Sequence, residues 1–230
     1  SRRRYEEIEE DLKKAADSEY AQNYTTCFLQ DGDAFVLRTE FLMQILEGIH
    51  KYLPNIKHVT TYARADSIAR KSVSELRELK TAGIEHLYCG METGSDLILR
   101  KINKGFDAAT IIISGTKAKE AGMVLSEFTL FGIGGKELAE ENAVETAKVL
   151  NVIKPDFVRV HATGIKLSSE MWNYVKNKEL TLQSEEEIVS EQKIMLELLA
   201  DDMDCIYMNE HIVNLLLEVR GNIRTDKQNM

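Results

Sequence analysis

Short apolar runs and longer amphipathic stretches take turns along most of this chain. Residues 84–105, IEHLYCGMETGSDLILRKINKG, show the pattern most fully. Residues 86–91 form an apolar run with aromatic content between turn signals, which predicts a buried strand. Glu92 stands where that strand should emerge, Thr93-Gly94-Ser95-Asp96 follows, and Leu97, Ile98 and Ile102 return at helical spacing. A strand that ends in a carboxylate and hydroxyls and turns on glycine into a helix can build a binding crevice. The same residues also suit a plainer role, with Ser95 or Asp96 as helix N-cap and Glu92 as a solvated rim residue.

The alternation extends on both sides. Tyr5, Ile8, Leu12 and Ala15-Ala16 mark an amphipathic helix that follows Arg2-Arg3-Arg4, with acids early and lysines late. TTCFL at 25–29 predicts a strand that breaks into Gln30-Asp31-Gly32-Asp33, and Thr39 is placed to cap a helix carrying Phe41, Leu42, Ile45, Leu46 and Ile49. Pro54-Asn55 leads to a strand at 58–62 with Ala63-Arg64-Ala65-Asp66 at its exit, then a helix over 72–82 closed by Gly83. Asp107 caps the next helix, and a strand at 123–131 breaks into Gly132-Ile133-Gly134-Gly135-Lys136-Glu137 before a helix over 138–152. A strand at 157–161 carries Arg159 and ends in Ala162-Thr163-Gly164. Beyond it, residues 166–203 predict two helical stretches, with Glu185-Glu186-Glu187 as an acidic first turn and Trp172, Tyr174 and Val175 as helix packing residues. A short run at 205–208 and a last helix around 212–217 complete the pattern.

Single helices between successive strands imply right-handed parallel βαβ units, hence a barrel or an open doubly wound sheet. The varied polar chemistry (QDGD, YARAD, METGS, GIGG, HATG) falls after the strands, the functional rim in both architectures. The GIGG turn lets backbone approach a ligand and offers N–H groups to an anion, but its spacing fits neither a dinucleotide fingerprint nor a P-loop.

Composition narrows the function classes. A formal net charge of -9 argues against general nucleic-acid or anionic-membrane binding, and no apolar run approaches a membrane span. Cys27, Cys89 and Cys205 are far apart and form no CxxC pair, so they read as buried thiols in a cytoplasmic protein. His161 and His211 read first as hydrogen-bonded structural histidines.

The order QDGD, YARA, GMETGSDLILRKINKG and LFGIGGKE resembles the radical S-adenosylmethionine superfamily, nearest to the branch of oxygen-independent coproporphyrinogen oxidases and elongator-type proteins. The likeness covers 25–161, and the tail Asn209-Glu210-His211-Ile212-Val213-Asn214-Leu215-Leu216 with Gly221 resembles a group of members with a similar ending. The resemblance implies a partial (β/α)6 TIM-like barrel over 1–164, missing its first strand, with a mainly helical extension over 165–230. It also implies a [4Fe–4S] cluster chelated by S-adenosylmethionine, whose reductive cleavage gives a 5′-deoxyadenosyl radical, and an external electron donor such as flavodoxin or ferredoxin. On the family's pattern the turn Asp31-Gly32-Asp33 faces the methionine amino group, with Asp33 as the acid and the first glycine of the usual pair replaced. Glu92 and Ser95 fall on ribose and methionine contacts, and Lys104 on the base that meets the methionine carboxylate. Gly132, Gly134 and Gly135 fall against adenine with Arg159 and Ala162 beside them, and Arg64 is carried by its place after its strand.

One departure matters most. The family holds its cluster with Cx3Cx2C after the first strand; this sequence shows neither, and its own cysteines do not stand in. The expectation is that this N-terminal part is missing from the chain, which alone binds no iron and turns nothing over. The alternatives are a degenerate, cluster-free barrel that binds a small anionic ligand or a partner protein, and an ordinary phosphate-binding barrel.

Overall fold

The computed structural model describes residues 3–212 and 214–230, so Arg2 of the basic opening and Val213 of the tail lie outside the described residues. In chain order the helices and strands are α1 (Tyr5–Ala16), β1 (Thr26–Leu29), α2 (Thr39–Tyr52), β2 (His58–Ala63), α3 (Ala65–Ala69), α4 (Val73–Thr81) and β3 (Ile84–Glu92). They continue with α5 (Asp96–Lys101), α6 (Ala108–Glu120), β4 (Val124–Phe131), α7 (Ala139–Ile153), β5 (Phe157–Ala162), α8 (Glu170–Lys176) and α9 (Glu185–Leu198). β6 (Ile206–Met208), β7 (Gly221–Asn222) and α10 (Ile223–Asp226) close the order. The strands run β1-β2-β3-β4-β5-β6-β7 in a mostly parallel sheet whose order ends at β1 and β7 rather than closing on itself. The chain divides into two compact units, 1–89 with 117–125, and 90–116 with 126–230.

In the first unit β1 pairs parallel with β2 from Thr26↔His58 to Leu29↔Thr61, and β2 with β3 from Val59↔Ile84 to Ala63↔Cys89. Period-two alternation sends Val59, Thr61 and Ala63 of β2, and Leu87 and Cys89 of β3, into the core with Leu42, Leu46 and Ile49 of α2 and Leu76 and Leu79 of α4. The opposite face carries rings: Phe28 lies 4.8 Å from Tyr62, and His86 stacks on Tyr88 at 4.3 Å. Thr39 does not cap α2. Arg38 occupies the N-cap position, and the Thr39 hydroxyl donates to Glu75 at 2.8 Å.

In the second unit β4 pairs parallel with β5 from Ser126↔Phe157 to Phe131↔Ala162, β5 pairs parallel with β6, and β6 antiparallel with β7. α7 and α9 pack on each other, burying Ala143, Ala147 and Leu150 from one and Met195 and Leu196 from the other. Ser184 and Glu187 form a capping box on α9, the acidic first turn expected there. Two expectations fail. α8 buries none of its residues, so Trp172, Tyr174 and Val175 are half-covered rather than core. The apolar spacing at 212–217 gives no helix among the described residues, because side chains take over the local backbone. Asn209 Nδ2 donates to the Leu215 and Leu216 carbonyls at 2.7 and 2.8 Å, and Leu216 adopts φ 53.

Candidate functional site

In the first unit lie the turns after β1 and β2. Asp31 is exposed and accepts the Gly32 N–H at 2.8 Å. A side chain at Gly32 would meet nothing within 4 Å, so crowding does not demand a glycine there. Asp33 joins the two turns: one carboxylate oxygen accepts the Arg64 backbone N–H at 3.2 Å and the other the Ser67 hydroxyl at 2.5 Å. It thereby satisfies a free donor at the start of α3. The Arg64 guanidinium turns to Asp66 at 3.0 Å, which also pairs with Arg70. Beside the Asp31–Asp33 turn opens a cavity of about 750 Å³, lined by Ile8, Leu12, Phe28, Asp31, Asp33 and Leu42.

In the second unit lie the turn after β3, the glycine turn after β4 and the end of β5. Glu92 adopts φ 65, a left-handed conformation rare for a residue with a side chain, and its carboxylate pairs with Lys104 at 2.6 Å. Both side chains are largely covered, at 22% and 14% exposure. A non-glycine residue held there costs roughly 1–3 kcal/mol, and such strain gathers at functional sites. Behind Glu92 the turn is braced from α7. The Gly94 N–H donates to Thr146 Oγ1 at 2.9 Å, and a Cβ on Gly94 would run into the Glu145 backbone. Ser95, fully buried, accepts the Ile98 N–H at 3.3 Å as the N-cap of α5 and donates to Glu141 at 2.7 Å. The plainer role is therefore the one its hydroxyl fills in this structure.

The glycine turn is enclosed rather than open. Gly132, at φ 82, donates its N–H to Glu191 at 3.0 Å, Gly135 donates to the Gly132 carbonyl, and Lys136 to the Thr181 carbonyl. Side chains at Gly134 and Gly135 would meet Ile98 and Leu180 within 3 Å. These three N–H groups are therefore spent on protein acceptors rather than presented to an anion. Glu191 is 1% exposed and also accepts from Asn142 at 2.6 Å and Gln183 at 2.9 Å. Burial pushes its carboxyl above the usual range, and the three donors pull the other way.

On β5, Arg159 Nε donates to Ser126 at 3.3 Å and its guanidinium lies over Phe157 at 5.7 Å. The Ala162 N–H donates to Asn214 Oδ1 at 2.8 Å, while Asn214 Nδ2 donates to the Val160 carbonyl at 2.5 Å. Asn214 thus extends the edge of β5 as a short strand would. Sequence reasoning missed the bracing roles of Glu141, Asn142 and Glu191, which arise from contacts across roughly 46–59 positions.

The thiols do not converge. Cys27 is half-buried in β1, and burial raises its pKa; Cys89 lies buried in β3 and Cys205 is buried just before β6. Among the described residues no group of three or more His, Cys, Asp or Glu side chains is placed to hold a metal. A [4Fe–4S] cluster does not fit the chain's own donor set. No helix among the described residues is long and apolar enough to cross a membrane.

Comparison with known proteins follows the same line as the fold. No family model matches the chain. It is 24% identical over 173 residues to the heme chaperone HemW of Bacillus subtilis (strain 168), covering 74% of this chain and 45% of HemW. Among solved structures, the Elp3 of Methanocaldococcus infernus with an N-terminal deletion superposes with a TM-score of 0.60 at 15% identity, covering 86% of this chain and 50% of that one. Coproporphyrinogen III oxidase (HemN) from Escherichia coli, a radical S-adenosylmethionine enzyme, superposes with a TM-score of 0.61 at 14% identity, covering 85% and 47%. The chain has the fold of radical S-adenosylmethionine enzymes and spans about half the length of these relatives.

Proposed function

We propose that the chain is the S-adenosylmethionine-binding part of a radical enzyme whose cluster ligands are not among its own residues. The observation that carries this reading is Glu92: a carboxylate at the end of β3, in a strained conformation, paired with Lys104 and braced from behind by α7. A strand-end carboxylate of this kind accepts ribose hydroxyls, and the ammonium of Lys104 attracts a carboxylate. Within the first unit, and taken by themselves, Asp31 and Asp33 carry acceptors that suit an ammonium group. The bonded oxygens, one on Asp31 and both on Asp33, each keep a second lone pair. When bound to a reduced cluster, S-adenosylmethionine supplies the reactive radical; the residues of this chain contribute orientation and charge. The substrate class of HemN or HemW does not transfer with half of their length.

The test is calorimetric titration of the chain with S-adenosylhomocysteine, the thioether analogue that lacks the sulfonium charge but keeps the amino and carboxylate groups. Binding that weakens about tenfold in Glu92→Gln, the loss of one charge-assisted contact, supports the reading. No binding to the unaltered chain overturns it and favours the cluster-free alternative.

A further inference from the structure

The β5 strand sorts its side chains by alternation. Val158 and Val160 point into the core, while Phe157, Arg159 and His161 are only partly covered on the other side. Phe128 is the register partner of Arg159, and its ring lies 5.2 Å from that of His161. The loop after β6 then brings a second imidazole: the His211 ring sits 4.2 Å from the His161 ring, tilted by 41°. Specific bonds hold that loop. Asn214 ties it to one edge of the β5 backbone by two bonds, Asn209 closes it on Leu215 and Leu216, and Glu210 pairs with Arg220. A loop fixed at this many points, carrying an exposed histidine onto a half-covered one, is a built arrangement rather than a chance surface contact.

Its electrostatics are asymmetric. His161 is held below the ordinary histidine pKa by burial first, then by His211, with Arg159 adding to the same direction; Glu92 alone opposes them. Those groups come from β3, β5 and the loop after β6, and β4 adds the uncharged Phe128. Glu92 is already matched to Lys104 at 2.6 Å, so its charge is largely answered there. What remains around His161 is a patch that resists a further positive charge and is complementary to a negative one. A metal ion is the weaker fit, since among the described residues no third histidine, cysteine or acid joins the pair.

We propose that His161 and His211, with Arg159 beside them, form a binding site for an oxyanion, a carboxylate or phosphate carried by an organic ligand. Each neutral imidazole can offer one N–H, and each can take up a proton once the anion is present. The sign follows from linkage. An anion favours the charged imidazole, so it raises the pKa of His161, and affinity for it rises as pH falls through the histidine range. Arg159 and Glu92 also fall on the proposed cosubstrate's contacts, so the two readings adjoin; the histidine signals test this one and the S-adenosylhomocysteine titration the other.

The experiment is proton NMR of the imidazole C–H signals of the intact chain, which has five histidines. The signals of the pair are assigned with His161→Gln and His211→Gln. A pH titration is run in sodium chloride, then in citrate and in inorganic phosphate at matched ionic strength. Citrate, phosphate or both should raise the pKa of His161 by about one unit, tenfold in proton affinity, while His50, His58 and His86 follow the salt control. In Arg159→Gln the rise should fall to about half a unit. A response to citrate alone identifies a carboxylate ligand, and a response to phosphate alone a phosphorylated one. If neither anion moves His161 beyond the salt control, or the rise is undiminished in both Arg159→Gln and His211→Gln, the proposal is wrong.

Discussion

The turns after β1 and β2 and the turns after β3 and β4 carry similar residues, yet they are held in different ways. In the first pair the partly exposed Asp33 carboxylate reaches the start of α3 across 34 positions at most. In the second pair Ser95 and Gly132, both buried, depend on carboxylates of distant helices, the part-buried Glu141 and the buried Glu191. A rim of the first kind tolerates change because water can replace a lost partner. A rim of the second kind cannot, because a buried donor left alone bears its full desolvation penalty.

The sharpest way to break this contrast is at Glu191. Glu191→Ala strands the Gly132 N–H and leaves the Asn142 and Gln183 amides without that acceptor, so we expect a loss of about 3 kcal/mol in urea unfolding. A loss below about 1 kcal/mol would mean that water enters the α7–α9 interface and that the two rims are alike. Asp33→Ala is the matched change in the first unit. Its carboxylate bonds one backbone N–H and one hydroxyl in a partly exposed position, and its removal should cost about 1 kcal/mol. If the two variants destabilise equally, the distinction between local and remote bracing fails.

The same contrast explains how much could be read without coordinates. Strands β1 to β5 were legible because each is an apolar run between turn signals, and a strand's own residues fix its period. Ser95, Asp107 and the acidic start of α9 were legible because capping is local: Asp107 accepts the Thr110 N–H three positions on. The apolar spacing at 212–217 misled because Asn209 and Asn214 offer the backbone better partners than a helix would, and nothing in the spacing records that competition. Glu191 looks like one more acid on a charged helix; only the packing of α9 against α7 turns it toward Gly132. The rim residues were found by type, but who holds them was not, since that information lies in tertiary contacts.

The smallest expected effect belongs to acid. Glu75 closes the capping box of α4 with Ser72 and accepts the Thr39 hydroxyl, and these hydrogen bonds pull its pKa down to about 2. A carboxylate whose folded pKa is depressed adds stability above its unfolded value and loses it as pH falls toward the folded one. The window therefore runs from the ordinary value of 4.5 down to about 2. The group sits near the surface, so solvent screening reduces the effect to about 1 kcal/mol. Urea midpoints of the parent chain should fall across that window more steeply than those of Glu75→Gln. Glu191 acts in the opposite sense: burial raises its pKa, so its contribution is fully present below its unfolded value and declines as pH rises through the folded one. Glu191→Gln should therefore remove a term that grows toward acid, and the two variants should change the slope of stability against pH in opposite directions. Slopes that change in the same direction would mean that burial does not dominate at Glu191, and the two rims would then differ in distance along the chain but not in physics.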